Sequence, residues 1–183
     1  MPWERLFEEA AAAGPGAGGL LALPYFNGER TPLFDPEARG LLLGLTVAHG
    51  RGHILRALVE STGFAVRHNL EVMAAAGARI GGLRAAGGGA RSGWPHVVSD
   101  ITGLPQRRLD EVAGAAVGDA LLAAVAVGAA DLDAAWVNEA ESIEPRAETA
   151  ALYDEMYGLY RELYPATSRQ MHALAALQRP LLS

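Results

Sequence analysis

The sequence predicts an α/β domain, because short apolar runs bounded by glycine and proline alternate with longer segments whose apolar residues recur at helical spacing. Its 183 residues fit one domain of ordinary size. Thirty-six alanines and 22 glycines make up about a third of the chain, so the core is expected to be thin and its elements closely approached.

Leu6, Phe7 and Ala10 share one face, and Gly14-Pro15-Gly16 ends the segment, so residues 3 to 13 read as a helix. Leu20 to Tyr25 and Gly40 to Thr46 are continuous apolar runs with the look of buried strands, separated by a polar loop from Asn27 to Pro32. Ile54, Leu55, Leu58, Val59, Ala65, Val66, Leu70 and Met73 mark the longest helix, from about Gly52 to Ala76, with a kink expected at Gly63 and a cap at Gly77. Ile80 to Ala86 reads as a third strand and residues 87 to 92 as a glycine loop. Val97, Val98 and Ile101 give a helix closed by Gly103, and Gln106 to Leu109 a fourth, weaker strand. A small-residue helix over 113 to 129 is expected to be packed and soluble, because the longest candidate membrane span, Ala113 to Ala130, is built of Ala, Gly and Val with Asp119 inside it. A short helix follows near Asp131 to Val137. Arg146 to Leu163 and Ala166 to Gln178 read as a final helical pair split by Pro165.

Composition removes several chemistries. All 15 basic residues are arginine, so no lysine is available for a Schiff base or a Walker-type phosphate clamp. Net charge is −6 and arginines never run longer than Arg107-Arg108, which leaves no footprint for nucleic acid or an anionic membrane. Without cysteine there is no disulfide framework, thiolate zinc site or cysteine nucleophile, and the expected setting is the cytoplasm. The charged first residues do not read as a signal peptide.

Gly87-Gly88-Gly89 lies between an expected strand and an expected helix, where glycine lets a ligand approach the backbone and a helix N-terminus favours phosphate. A tight turn bringing helix and sheet together is the plainer alternative. The dinucleotide fingerprint is absent, since Ser92 stands where its third glycine would be. His49 and His53 lack the partners of a metal site, and Glu29, Asp35 and Asp100 are candidate carboxylates that ordinary capping or solvation also explains. Trp136, Tyr153, Tyr157, Tyr160 and Tyr164 run near helical spacing, as core or interface residues do.

Leu23-Pro24-Tyr25-x-x-Gly28-Glu29-Arg30-Thr31-Pro32-x-x-Asp35-Pro36-x-Ala38-Arg39-Gly40, then Gly44-Leu45-Thr46, Arg51-x-His53 and the run Ala57 to Glu60, resemble the C-terminal domain of FGGY-family carbohydrate kinases, nearest to xylulokinase-like members. Gly87-Gly88-Gly89-Ala90-Arg91-Ser92 resembles that family's adenosine-binding loop, Gly114-Ala115-Ala116-x-Gly118 its small-residue helix start, and Tyr153 to Gln178 its closing helices. Two departures stand out. One residue is missing between the loop and Asp100-x-x-Gly103, and Gly93-Trp94-Pro95 replaces a common Pro-x-Trp.

The resemblance implies an actin-like, ribonuclease H-like ATPase domain with a mixed sheet flanked by helices. Residues 1–183 would form the single nucleotide-binding C-terminal domain of a sugar kinase, with ATP and Mg²⁺ as its cofactors. It also implies that the N-terminal sugar-binding domain, the catalytic aspartate, both phosphate hairpins and the first strands of the sheet lie outside this sequence, leaving a sheet edge exposed. No catalytic residue and no Mg²⁺ site would then be carried here. Gly88, Gly89 and Ala90 are assigned to adenosine and α-phosphate contact, with Ser92 beside them and Thr46 as a phosphate-side or structural residue. The expected partners are ATP or ADP, and a pentulose through the missing domain. The alternative is a non-catalytic remnant serving as an interaction or homodimerisation module through its Tyr-rich closing helices.

Overall fold

The computed structural model describes residues 3–109, 115–133 and 139–178. Helix α1 (Trp3–Ala12) leads through a 3-10 turn at Pro15–Gly18 into β1 (Leu21–Leu23), which is wholly buried. The second strand, β2 (Leu41–Leu43), runs antiparallel to it with Leu21 opposite Leu43 and Leu23 opposite Leu41. Helix α2 (Arg51–Ala75) then crosses the molecule, packing on α1, on β1 and on α3 (Trp94–Thr102).

The second sheet is mixed. Strand β3 (Leu83–Ala85) pairs in parallel with β4 (Gln106–Leu109), which pairs antiparallel with β5 (Glu139–Ile143). Leu83, Gln106 and Ile143 stand opposite one another and so share the face that α3 covers. Buried Gln106 donates from its amide to Pro95 O (2.5 Å) and Ser99 Oγ (3.0 Å), and Ser99 Oγ donates to Ile143 O, so polar bonds lock α3 to the sheet. Arg84, Arg107 and Ser142 alternate to the other face, beside a cleft of about 930 Å³.

The core is small and aromatic. Phe64 of α2 meets Tyr153, Tyr157 and Tyr160 of α5 (Ala150–Gln178) with ring centroids 5.4 to 6.1 Å apart, and Leu21, Leu23, Tyr25, Val97 and Ile101 close around them. These tyrosines are core residues and form no outward surface for a partner. Gly63 does not kink α2, which runs unbroken. A Cβ there would sit 2.6 Å from Ile101 Cδ1, so the glycine lets α3 lie close.

Two further expectations change, and one strand was not foreseen. The two closing helices are one, with Pro165 inside it, because Tyr164 on one side of the proline and His172 on the other both bond Asp35 Oδ2 at 2.7 Å. β5 was not legible: Glu139, Ala140, Glu141 and Ser142 are poor strand formers, and pairing with β4 forms the strand, with Arg108 bridging Glu141 at 2.9 Å. Helix α4 (Ala115–Ala126) forms, yet buries none of its side chains, so small and apolar composition alone did not secure packing. Gly114 and the greater part of the helix expected over 131 to 137 fall outside the described residues. Among the described residues no helix is long and apolar enough to cross a membrane.

Candidate functional site

The glycine loop leaves the C-terminal end of β3, the end of parallel strands at which open α/β sheets place ligands. The 930 Å³ cleft lies at their other end, among Gly81, Gly82, Pro105 and Glu144. The backbone turns at Gly87, whose φ of 83° admits little but glycine, and enters a 3-10 turn over Gly88–Arg91 before α3 begins at Trp94.

Gly88 and Gly89 behave differently from Gly87. Neither has a left-handed φ, and a Cβ on either would meet nothing within 4 Å, so the folded chain itself gives no reason for glycine there. Both are exposed. What the two glycines create is open space directly over the backbone, ahead of a helix N-terminus, which suits a phosphate.

Ala90 and Ser92 serve the turn itself. Ala90 N–H donates to Gly87 O and Ser92 N–H to Gly89 O, both at 3.1 Å, while Ala90 turns its methyl into the interior. Ser92 Oγ donates to Gly89 O (2.8 Å) and accepts from Trp94 N–H (3.2 Å). The amides of Gly88 and Gly89 precede the first hydrogen bond of the turn.

Several braces hold this loop. Trp94 Nε1–H donates to Thr62 Oγ1 on α2 at 2.7 Å, and Gln106 ties down the first turn of α3. At the far end of α3, buried Asp100 accepts from Arg146 N–H (2.8 Å), Nε (3.0 Å) and Nη2 (2.6 Å). Asp100 is thus a clamp between α3 and the approach to α5. Sequence reasoning named Asp100 but missed Thr62, Gln106 and Arg146. Only Gln106, a lone uncharged polar residue opening a strand, carried any signal.

Thr46 lies apart. Its N–H and hydroxyl bond His49 Nδ1 at 2.9 and 3.0 Å, and the hydroxyl also receives Ala48 N–H, which makes a closed turn before α2. Thr62, beside the glycine loop, is eleven residues into α2, about 16 Å along its axis from that turn. The histidines are accounted for similarly: His49 Nε2–H donates to Gly18 O, and His53 Nδ1 accepts Gly50 N–H at the start of α2.

The carboxylates do not pair with each other. Glu29 and Asp35 meet only through their backbones, where Glu29 Oε1 receives the Arg30 and Thr31 amides. Burial pushes the Asp35 carboxyl up, but hydrogen bonds from His172, Tyr164 and Glu37 N–H outweigh it and hold the group below its usual range. The same bond, helped by burial, pushes Tyr164 up to about 12. A second network is deeper. Glu60, 1% exposed, accepts from Gly16 N–H, Arg56 Nε and Tyr153 O–H at 2.9, 2.6 and 2.7 Å, and burial beside that carboxylate drives the Tyr153 phenol well above its ordinary range. These networks join elements together, and Tyr164 of the first also lines a pocket of about 250 Å³ with Tyr25, His68 and Arg161. Among the described residues no group of three or more His, Cys, Asp or Glu side chains is placed to hold a metal ion.

Residues 3–127 match the C-terminal domain of the FGGY family of carbohydrate kinases. The chain is 32% identical to the xylulose kinase of Bacillus subtilis (strain 168), over 97% of its own length and 36% of that relative's. It is 32% identical to the ribulokinase of Bacillus licheniformis over 97% of the chain and 34% of the relative. In structure it superposes on the xylulose kinase of Rhodospirillum rubrum with a TM-score of 0.80 at 35% identity, covering 92% of this chain and 35% of that one. The chain therefore spans about a third of the length of these relatives.

Proposed function

Because this chain belongs to the FGGY family of carbohydrate kinases, as its C-terminal domain, we propose that it is the nucleotide-binding portion of an ATP-dependent kinase acting on a sugar hydroxyl, most closely a xylulose-like pentulose. The fold is the actin-like one of the xylulose kinases. The observation that carries the nucleotide role is the pair Gly88 and Gly89, glycines that the folded chain does not require, opening space over two amides in front of α3. Gly88 and Gly89 meet the adenosine and α-phosphate side of the nucleotide, Ala90 and Ser92 fix the turn that aims them, and Thr46 keeps a structural part in its own turn.

Phosphoryl transfer further needs a positioned hydroxyl, a base, and charge stabilisation around the γ-phosphate, which Mg²⁺ supplies when bound with ATP. In this reading those parts fall to an N-terminal sugar-binding domain, and residues 1–183 supply the nucleotide-binding one. The names of the similar proteins favour a pentulose as substrate, and the reading sets the protein in the cytoplasm, where ATP is at hand.

Mixing this chain with the N-terminal portion of the Bacillus subtilis xylulose kinase and following ADP release tests the assignment. Release that depends on xylulose is expected. A formed complex that releases no ADP with any pentulose would refute it.

A further inference from the structure

The pocket of about 250 Å³ that Tyr164 lines shares no residue with the glycine loop. Its deeper wall is buried, with Tyr25 and Tyr160 each 2% exposed and His68 of α2 7%. Arg161 and Pro165 are exposed and stand at its mouth. Three groups around it have hydrogen-bonding capacity that the described residues leave unused. His68, although buried, makes no hydrogen bond with any of them. Burial, and after it the charge of Arg161, holds its pKa below the ordinary range, so near neutral pH the ring offers one donor and one acceptor. Tyr25 and Tyr160 share a single bond, 3.2 Å between hydroxyls, which leaves one of two O–H hydrogens without an acceptor. Pro165, lacking an N–H, cannot supply the bond that the Arg161 carbonyl would receive from any other residue at that place in the helix.

Buried polar groups are normally paired, so three such groups around one cavity point to a ligand that pairs them. We propose that this pocket binds a small neutral polyol, its C–H face on the tyrosine rings and its hydroxyls bonded to His68, to the Tyr25–Tyr160 pair and to the Arg161 carbonyl. Hydroxyls donate and accept alike, which answers a wall that mixes donors with acceptors. Water would meet the polar groups too, but the three phenol rings, Leu33 and Pro165 offer it no partner and favour a carbon skeleton. An anion gains little here. Tyr164 already donates to Asp35, and Arg161 Nη1 to Glu71, so the groups that would draw a negative charge face carboxylates. At about 30 Å³ for each water, 250 Å³ takes roughly eight, the size of a polyol of about four or five carbons and too small for a nucleotide. The site stands or falls independently of the nucleotide reading.

The test is an NMR titration of this chain with xylitol, and with xylonate as the charged comparator of the same carbon skeleton. Polyols stabilise folded proteins at high concentration without a site, so the reading is the ring signals of His68 and saturation transfer from the tyrosine rings to xylitol, not the melting temperature. Saturable movement of the His68 signals with xylitol, and weaker or none with xylonate, is expected. His68→Leu fills the same space and deletes two nitrogens that have no partner in the chain, so its melting temperature should equal or exceed the parent's. Its affinity for xylitol, followed by saturation transfer, should fall at least about tenfold, the effect of one lost hydrogen bond, while His68→Gln, which keeps a donor and an acceptor, should lose less. No saturable response in the unaltered chain overturns the proposal, and so does equal affinity in His68→Leu. Tighter binding of xylonate than of xylitol would make the pocket an anion site instead. Unfolding of His68→Leu would also count against it, because the ring would then serve the fold rather than a ligand.

Discussion

Arg56→Leu removes the only cation that, among the described residues, is bonded to a carboxylate 99% buried, since Glu60 is 1% exposed and Arg56 Nε meets its Oε1 at 2.6 Å. Breaking a buried pair from one side leaves an uncompensated charge in a poorly polarisable interior and costs about 3–5 kcal/mol. The second oxygen, Oε2, has no partner to take up the loss, and Tyr153 also loses the donor that Arg56 Nη2 supplies to its hydroxyl at 2.8 Å. For a domain of this size each kcal/mol lowers the melting temperature by about 2–4 °C, so the expected fall is roughly 6–20 °C. Arg56→Leu/Glu60→Leu should recover part of it, because no charge is then left alone, while Gly16 N–H and Tyr153 O–H still lack their acceptor and hold the double variant about 1–3 kcal/mol below the parent. Thermal and urea denaturation of the four proteins of this cycle gives the coupling directly. A single variant within about 1 kcal/mol of the parent, or a double variant as unstable as the two singles added, would refute the reasoning.

Two other expectations follow from the packing and the charges. Gly63→Val places its Cβ 2.6 Å from Ile101 Cδ1 and adds two methyls, so α3 is pushed off α2, stability drops by about 1–3 kcal/mol in denaturant melts, and ADP binding weakens because α3 carries the loop. Asp35, held below its ordinary range by His172, Tyr164 and Glu37, contributes stability that is present above about pH 4 and is lost as pH falls through its folded value. Melts against pH should therefore show Asp35→Asn well below the parent at neutral pH and converging with it in acid, and a gap that stays constant would contradict the assignment.

What the sequence disclosed depended on where the deciding interaction lay. β1, α2 and β4 were readable because their patterns are local: three buried leucine and alanine positions in a row, an amphipathic repeat over 25 residues, and a strand begun by Gln106. β5 was hidden, since its pairing with Arg108 and Gln106 lies more than 30 residues away in the chain. Pro165 was misread because a proline ends a helix only when nothing outside the helix holds both halves, and Asp35, 129 and 137 residues away from its two partners, does hold them. At the site, the glycines could be picked out, but that Gly88 and Gly89 stand open while Ala90 and Ser92 build the turn is a matter of hydrogen bonds no spacing reveals.

The most direct test of the nucleotide assignment is a thermal-shift titration of this chain with ADP, alongside Gly89→Asp. That substitution keeps the fold, because position 89 has an ordinary φ and open space for a side chain, yet it sets a carboxylate where the phosphate belongs. A ligand at a hundredfold excess over its Kd adds about 2.7 kcal/mol, or roughly 5–11 °C here. The account predicts a saturable rise in the parent and none in the variant. A cooperative melt that ADP leaves unmoved in the parent, or an equal rise in Gly89→Asp, would contradict it.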